Sequence, residues 1–255
     1  MTISTIRIRA LGAMMLMLLL PRMVLAGEPV TLHTSDGVSV FGTLTRAHPG
    51  NARIILLFHQ ARGNRHEYDP VIPALTHLGY DTLATDQRSG GELFGGTNDT
   101  VKTLGHSTDY LTALPDLEAA LEWARGHHYR TIVMVGSSYS SSLAILLAAR
   151  RQSEMTALAA FSPGEYFENR NLVKEAAAKI TIPFFITTDP DEEGNVTEVL
   201  RNAHGSNIVR YKPAAGVHGA STLVAARDPE GYKENLQHFT AFLRRLAKGD
   251  RVSAK

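Results

Sequence analysis

The chain has 255 residues, 44% of them apolar and 20% charged, proportions ordinary for a globular protein and enough to bury a sizeable core as one α/β domain. It contains no cysteine, which excludes disulfides and a lipid anchor on an N-terminal cysteine. The formal charge is only +1 and no basic run is longer than Arg150-Arg151 or Arg244-Arg245, so nothing marks a nucleic-acid partner.

In chain order, Arg7 and Arg9 precede an uncharged run from Ala10 to Leu20. Pro21 follows, and then Val24-Leu25-Ala26 places small residues before Gly27. This pattern predicts a secretory signal peptide over residues 1–26 and an exported domain over 27–255, periplasmic or secreted. The apolar run is too short for a membrane span, which needs about 20 residues, so no stable membrane insertion is expected after cleavage. Losing Arg7, Arg9 and Arg22 lowers the basic side chains from 26 by three to 23, against 25 acidic ones, so the apparent basicity belongs to the removed segment.

Val30 to His33 and Val38 to Thr45 read as two strands joined at Ser35-Asp36-Gly37, an edge hairpin. Ile54 to Phe58 is a continuous apolar run, as in a strand buried on both faces. A helix over about Pro70 to Leu78 leads to a strand at Tyr80 to Thr85 and a Gly-rich loop from Ser89 to Gly105. A long helix is expected over Asp109 to Arg125, with Pro115 inside it opening a second segment. The strand Thr131 to Val135 runs into a helix over Ser141 to Arg150. Next come a strand at Ala157 to Phe161, a helix at Leu172 to Ala178, a strand at Pro183 to Thr187, a helix at Glu193 to Ala203, a strand at Ile208 to Tyr211 and an amphipathic helix over Glu230 to Ala247. Strands alternating with helices predict a mostly parallel sheet flanked by helices in a single α/β domain.

Ligands of such sheets bind at the carboxyl ends of strands. Those ends deliver His59-Gln60-Ala61-Arg62-Gly63-Asn64, Asp86-Gln87-Arg88-Ser89, Gly136-Ser137-Ser138-Tyr139-Ser140, Asp189-Pro190-Asp191-Glu192 and Gly216-Val217-His218-Gly219. The third of these has the context of a nucleophile elbow, a serine on a strained strand-to-helix turn between small residues. Ser140 stands where that pattern usually has glycine. Serine, acid and histidine follow in that order.

Together these segments resemble the α/β-hydrolases, of the small dienelactone-hydrolase-like or esterase-like type, over roughly Val38 to Leu246. The resemblance implies a minimal lid and a reaction without cofactor. It assigns Ser138 as nucleophile, His218 as base and Asp191 as the acid that orients it, with Asp189 and Glu192 as alternatives. Oxyanion donors are then the N–H groups of Tyr139 and Ala61, with Gln60 second choice for the latter because it replaces the usual glycine of the turn. Gln60 and Arg88 are substrate-binding candidates. Arg62 and Arg65 also lie near strand ends, where structural ion pairs compete with substrate binding. His59 is expected to brace its loop.

No H-x-x-x-H or H-E-x-x-H spacing occurs, so no metal is expected. Asn98-Asp99-Thr100 and Asn195-Val196-Thr197 match glycosylation acceptors by pattern alone. The implied activity is hydrolysis of a small ester, thioester or lactone substrate through an acyl-enzyme. A peptidase, cofactor-free perhydrolysis and a catalytically silent binding protein of the same fold are the alternatives.

Overall fold

The computed structural model describes residues 27–249, so the expected signal segment lies outside the described residues. Eight strands form one sheet: β1 (Glu28–His33), β2 (Ser39–Thr45), β3 (Arg53–Phe58), β4 (Asp81–Thr85), β5 (Thr131–Ser137), β6 (Ala157–Phe161), β7 (Phe184–Thr187) and β8 (Ile208–Arg210). Their spatial order is β1-β2-β4-β3-β5-β6-β7-β8, and β2 runs antiparallel to both neighbours while β4 to β8 and β3 are parallel. After β3 the chain goes to one side for β4 and to the other for β5. The loops leaving β3 and β5 therefore part at the reversal point, where an open α/β sheet offers a crevice.

Alternation along the buried strands divides the core. Ile54, Leu56 and Phe58 of β3 and Ile132 and Met134 of β5 face one apolar layer, and Ile55, Leu57, Val133 and Val135 face the other. This is the period-two pattern of a pleated strand covered on both sides. The first layer is closed by α3 (Leu114–Gly126), α4 (Tyr139–Arg151), α5 (Leu172–Ala177) and α6 (Glu193–Val199), and the second by α1 (Ile72–His77) and α7 (Tyr232–Lys248). Between β6 and β7 the described residues hold a single short helix, α5, which agrees with the minimal lid expected from the sequence. Among the described residues, no helix is long and apolar enough to cross a membrane.

Local differences from the sequence reading have identifiable causes. The Gly-rich segment contains a short helix, α2 (Asp99–Leu104), because Asn98 caps it by accepting the Val101 N–H at 2.8 Å and Gly105 ends it at φ +79°. Asn98 is buried, which removes it as a glycosylation acceptor in the folded chain. The expected helix from Asp109 divides as the sequence reading has it: a 3₁₀ turn over Tyr110–Ala113 precedes α3, which Pro115 opens because proline fits the first turn, where its missing N–H has no partner to lose. β5 continues through Ser137, and α4 starts at Tyr139, so the turn between strand and helix is one residue, Ser138.

That tight passage requires glycine two residues earlier. A Cβ on Gly136 would overlap the backbone of Ser140 and Ser141. Gly136→Ala is expected to destabilise the fold by about 2–4 kcal/mol, since backbone cannot move aside as a flexible side chain can. Urea unfolding beside wild type checks this.

Candidate active site

Ser138 has φ +57° and ψ −127°, a conformation that non-glycine residues adopt only when their surroundings impose it. Its N–H is held by the Phe161 carbonyl at 2.8 Å, and its carbonyl accepts the Ser141 N–H at 2.9 Å as the helix begins. Arg62 (φ +61°), after β3, and Ser162 (φ +50°), after β6, are also left-handed. Three of the four left-handed non-glycine residues described thus sit at the carboxyl edge of neighbouring strands. Local strain of this kind collects at functional sites.

His59 braces the turn after β3, as expected. It is fully buried, its Nδ1 lies 2.8 Å from the Gln60 carbonyl, and its Nε2 accepts the Gln87 N–H at 3.0 Å. The ring is therefore neutral with its proton on Nδ1, and burial depresses it to about 4. The Gln60 N–H donates to Glu67 Oε2 at 2.7 Å, so it is unavailable to a ligand. Among the described residues, the N–H groups of Ala61 and Tyr139 donate to no protein acceptor. On this side of the rim Ala61, unlike Gln60, keeps its N–H free of a protein acceptor. The side-chain Oε1 of Gln60 is buried without a partner and stands close to the position a Cβ on Gly219 would take.

The loop bearing His218 is docked onto the elbow. Ala220 N–H donates to Ser137 Oγ at 2.8 Å and Gly219 N–H to Ser162 Oγ at 2.9 Å. Ser138 and His218 share this rim without a direct hydrogen bond between them, as is common where such contacts tighten only around substrate.

Here the structure corrects the acid. The carboxylate at His218 belongs to Glu192, both of whose oxygens lie 2.8 Å from Nδ1, whereas Asp191 is exposed and makes no hydrogen bond to His218. The cause is the 3₁₀ turn Pro190–Glu192. Asp189 Oδ1 caps it by accepting the N–H groups of Asp191 at 3.0 Å and Glu192 at 3.2 Å, and the turn swings Asp191 to solvent and Glu192 inward. Thr188 Oγ1 adds a bond to Glu192 Oε2 at 3.2 Å. Burial alone would raise both acids, but the charge and hydrogen bond of His218 bring Glu192 below the ordinary carboxylate value. Asp189 is raised, by burial first and then by the charge of Glu192. Asp189, Glu192 and His218 also offer one ligand atom each within 4.8 Å of one another, a spacing that a divalent cation could accept.

Arg88 is the second correction. It is 3% exposed and its guanidinium is committed to Asp116 (2.8 Å from Nε) and Asp36 (2.5 Å from one terminal nitrogen, 3.0 Å from the other). It therefore joins the β1–β2 hairpin to α3 and is not open to substrate. Arg65 is likewise paired, with Asp86 at 2.5 Å and Asp99 at 2.7 Å.

The sequence reading passed over Tyr166, whose hydroxyl donates to the Ser162 carbonyl at 2.9 Å. Burial pushes this phenol up to about 12, and a contact with the Ser138 hydroxyl opposes the rise in part. Its only sequence signal was its place four residues beyond Ser162, in the loop leaving β6. Tyr110 borders the same region, with its ring stacked on Tyr139 at 4.5 Å.

Strand order, elbow and the placement of the histidine loop define an α/β-hydrolase. The chain belongs to the family described as "Serine aminopeptidase, S33", whose model matches residues 50–228. Solved structures share the fold at low identity. An esterase of Pyrococcus furiosus is 21% identical at a TM-score of 0.68, over 86% of this chain and 92% of its own. The dienelactone hydrolase of Anabaena variabilis is 18% identical at 0.59, over 79% and 93%. Est1E of Butyrivibrio proteoclasticus, solved with ferulic acid bound, is 16% identical at 0.63, over 86% and 99%. Comparison with curated protein sequences gives no significant match.

Two measurements check this geometry. Glu192→Ala is expected to lower kcat by about 10³-fold or more while Asp191→Ala stays within about twofold of wild type, because only the former releases the imidazole; steady-state kinetics of the two variants decide between the carboxylates. His59 binds its proton less readily folded than unfolded, so its contribution to stability is intact above pH 6.5 and declines as pH falls toward 4. Between pH 7.5 and 5 wild type should lose about 2 kcal/mol more than His59→Gln does over the same interval, measured by urea unfolding at each pH.

Proposed function

We propose that this chain is an exported serine hydrolase that cleaves a small ester, thioester or lactone through an acyl-enzyme on Ser138. The observation carrying the reading is the left-handed Ser138 at the end of β5, with the histidine loop docked on the adjacent Ser137 and a carboxylate on the far nitrogen of His218.

In this reaction His218 Nε2 takes the Ser138 proton as Oγ attacks the acyl carbon. Glu192 keeps the other ring proton on Nδ1 and stabilises the imidazolium that forms. The oxyanion of the tetrahedral intermediate is met by the Ala61 and Tyr139 N–H groups, which are fixed in place before substrate arrives. The imidazolium then returns its proton to the leaving oxygen or sulfur. Water, activated by the same ring, releases the acid and regenerates Ser138.

Small esters and lactones are favoured because the lid is minimal and the rim is formed by Tyr110 and Tyr166, which leaves little surface for an extended chain. The names of the similar structures, an esterase and a dienelactone hydrolase, support the same class. Peptide-bond cleavage is the second reading, favoured by the family's description as serine aminopeptidases. The signal-like segment over residues 1–26 supports export.

Purified protein should label with a fluorophosphonate and hydrolyse p-nitrophenyl acetate, and Ser138→Ala should do neither. An aminoacyl p-nitroanilide in parallel separates esterase from aminopeptidase. Well-folded wild type that neither labels nor turns over any of these substrates overturns the reading in favour of a silent binding protein.

A further inference from the structure

Glu67 is a buried carboxylate that the proposed reaction leaves without a task. It ends the 3₁₀ turn Arg65–Glu67 and is 1% exposed. Its two oxygens reach different segments: Oε2 accepts the Gln60 N–H at 2.7 Å, and Oε1 accepts the Ser137 hydroxyl at 2.7 Å. Ser137 Oγ also accepts the Ala220 N–H at 2.8 Å, two residues beyond His218. One side chain therefore bonds the turn that presents Ala61 and the residue before Ser138, and through that residue reaches the loop that presents His218.

Either form of the acid can make this bridge. Gln60 presents an N–H, and Ser137, already an acceptor for Ala220, directs its own proton to Glu67. The carboxylate accepts both bonds, and the neutral acid keeps them by turning its O–H to the second lone pair of Ser137 Oγ. Burial opposes the carboxylate and pushes the group up to about 7, while the two hydrogen bonds and the charge of Arg227 favour the charged form. Arg227 also donates to the Glu67 carbonyl at 2.7 Å, and its guanidinium lies 4.3 Å from the centre of the Phe94 ring. A dry carboxylate with no directly bonded cation is costly, and apolar packing would serve stability as well or better. Its value lies in what it holds.

We propose that Glu67 is a positioning residue for the hydrolysis, fastening the oxyanion turn, the serine elbow and the histidine loop in one register. The inference rests on the reading of Ser138 as nucleophile. Glu67 touches no substrate and acts through Gln60 and Ser137. In Glu67→Leu neither the Gln60 N–H nor the Ser137 hydroxyl finds a partner, so both segments are released while the volume is nearly kept. Ser137→Ala cuts the same bridge at its other end and leaves the carboxylate in place.

The test measures p-nitrophenyl acetate kinetics, the rate of fluorophosphonate labelling and thermal unfolding for Glu67→Leu, Ser137→Ala, their double variant and Ser138→Ala. Expected for Glu67→Leu are a kcat and a labelling rate lowered about tenfold or more with KM within about twofold, since small misplacements of reacting groups cost rate before binding. The double variant should be little worse than the poorer single one, because both cut one bridge. If Glu67→Leu folds with kcat within twofold of wild type, or if the activity lost in either variant only follows the loss of folded protein, the positioning role is wrong while the Ser138 reading stands. Wild-type turnover retained by Ser138→Ala would instead sink that reading, and this inference with it.

Discussion

The structure turns on the close passage of β5 against α4. A one-residue turn leaves no room for a Cβ at Gly136 and forces Ser138 into a left-handed conformation. Such strain persists only where the surroundings over-determine it. The hydroxyls at the start of α4 supply much of that determination. Ser140 Oγ donates to the His59 carbonyl at 2.5 Å, tying the turn after β3 to the helix, and Ser142 Oγ donates to the Gly164 carbonyl at 2.8 Å, tying the loop after β6. Serines are indifferent helix formers, but in the first turn they can bond outward to the segments that frame the site. This accounts for Ser140 where glycine was expected: the position needs a small residue for the close approach, and the hydroxyl adds a bond that glycine lacks.

Electrostatics then sorts the acids that cluster near the strand ends. Asp116 and Asp36 are occupied with Arg88, an internal pair that joins the hairpin to α3. Burial still pushes Asp116 up to about 6, while Arg88 holds Asp36 well below the ordinary carboxylate range. Asp189 and Glu192 are close enough to repel, and their environments drive them apart: Glu192 keeps its charge beside His218 while Asp189 is raised. Pairs of titratable groups pushed in opposite directions mark the division of labour between a charged orienter and a structural cap.

Much of this was legible in the sequence because it rests on periodicity and on order along the chain. Apolar runs such as Ile54 to Phe58 gave the buried strands, and the elbow, the turn after β3 and the histidine turn fell at strand ends as expected. What escaped depended on side-chain direction over one or two residues. Asp191 and Glu192 are adjacent, and only the capping bonds from Asp189 decide which faces inward. Arg88 lies near a strand end like a binding residue, yet its two acidic partners are 52 and 28 positions away in the chain, a pairing no local pattern reveals. Tyr166 belongs to an irregular loop with no periodicity to read.

The arrangement around Ala61 shows how a site can be prepared by removing alternatives. Three consecutive peptide groups leave β3, and each could face the rim. His59 directs its Nδ1 proton to the Gln60 carbonyl, Glu67 takes the Gln60 N–H, and Ser140 takes the His59 carbonyl. With these groups satisfied inside the protein, the Ala61 N–H is left uncommitted, as is that of Arg62, beside the uncommitted N–H of Tyr139 at the start of α4. Under the proposed reaction no donor has to be released from another partner when negative charge develops on the acyl oxygen, so little reorganisation accompanies the step, which is the condition under which fixed dipoles stabilise a transition state most. A glutamine where the family's turn usually has glycine is compatible with this outcome because both its backbone groups are held from within. The backbone shape is then set by the partners of Gln60, not by the freedom of a glycine.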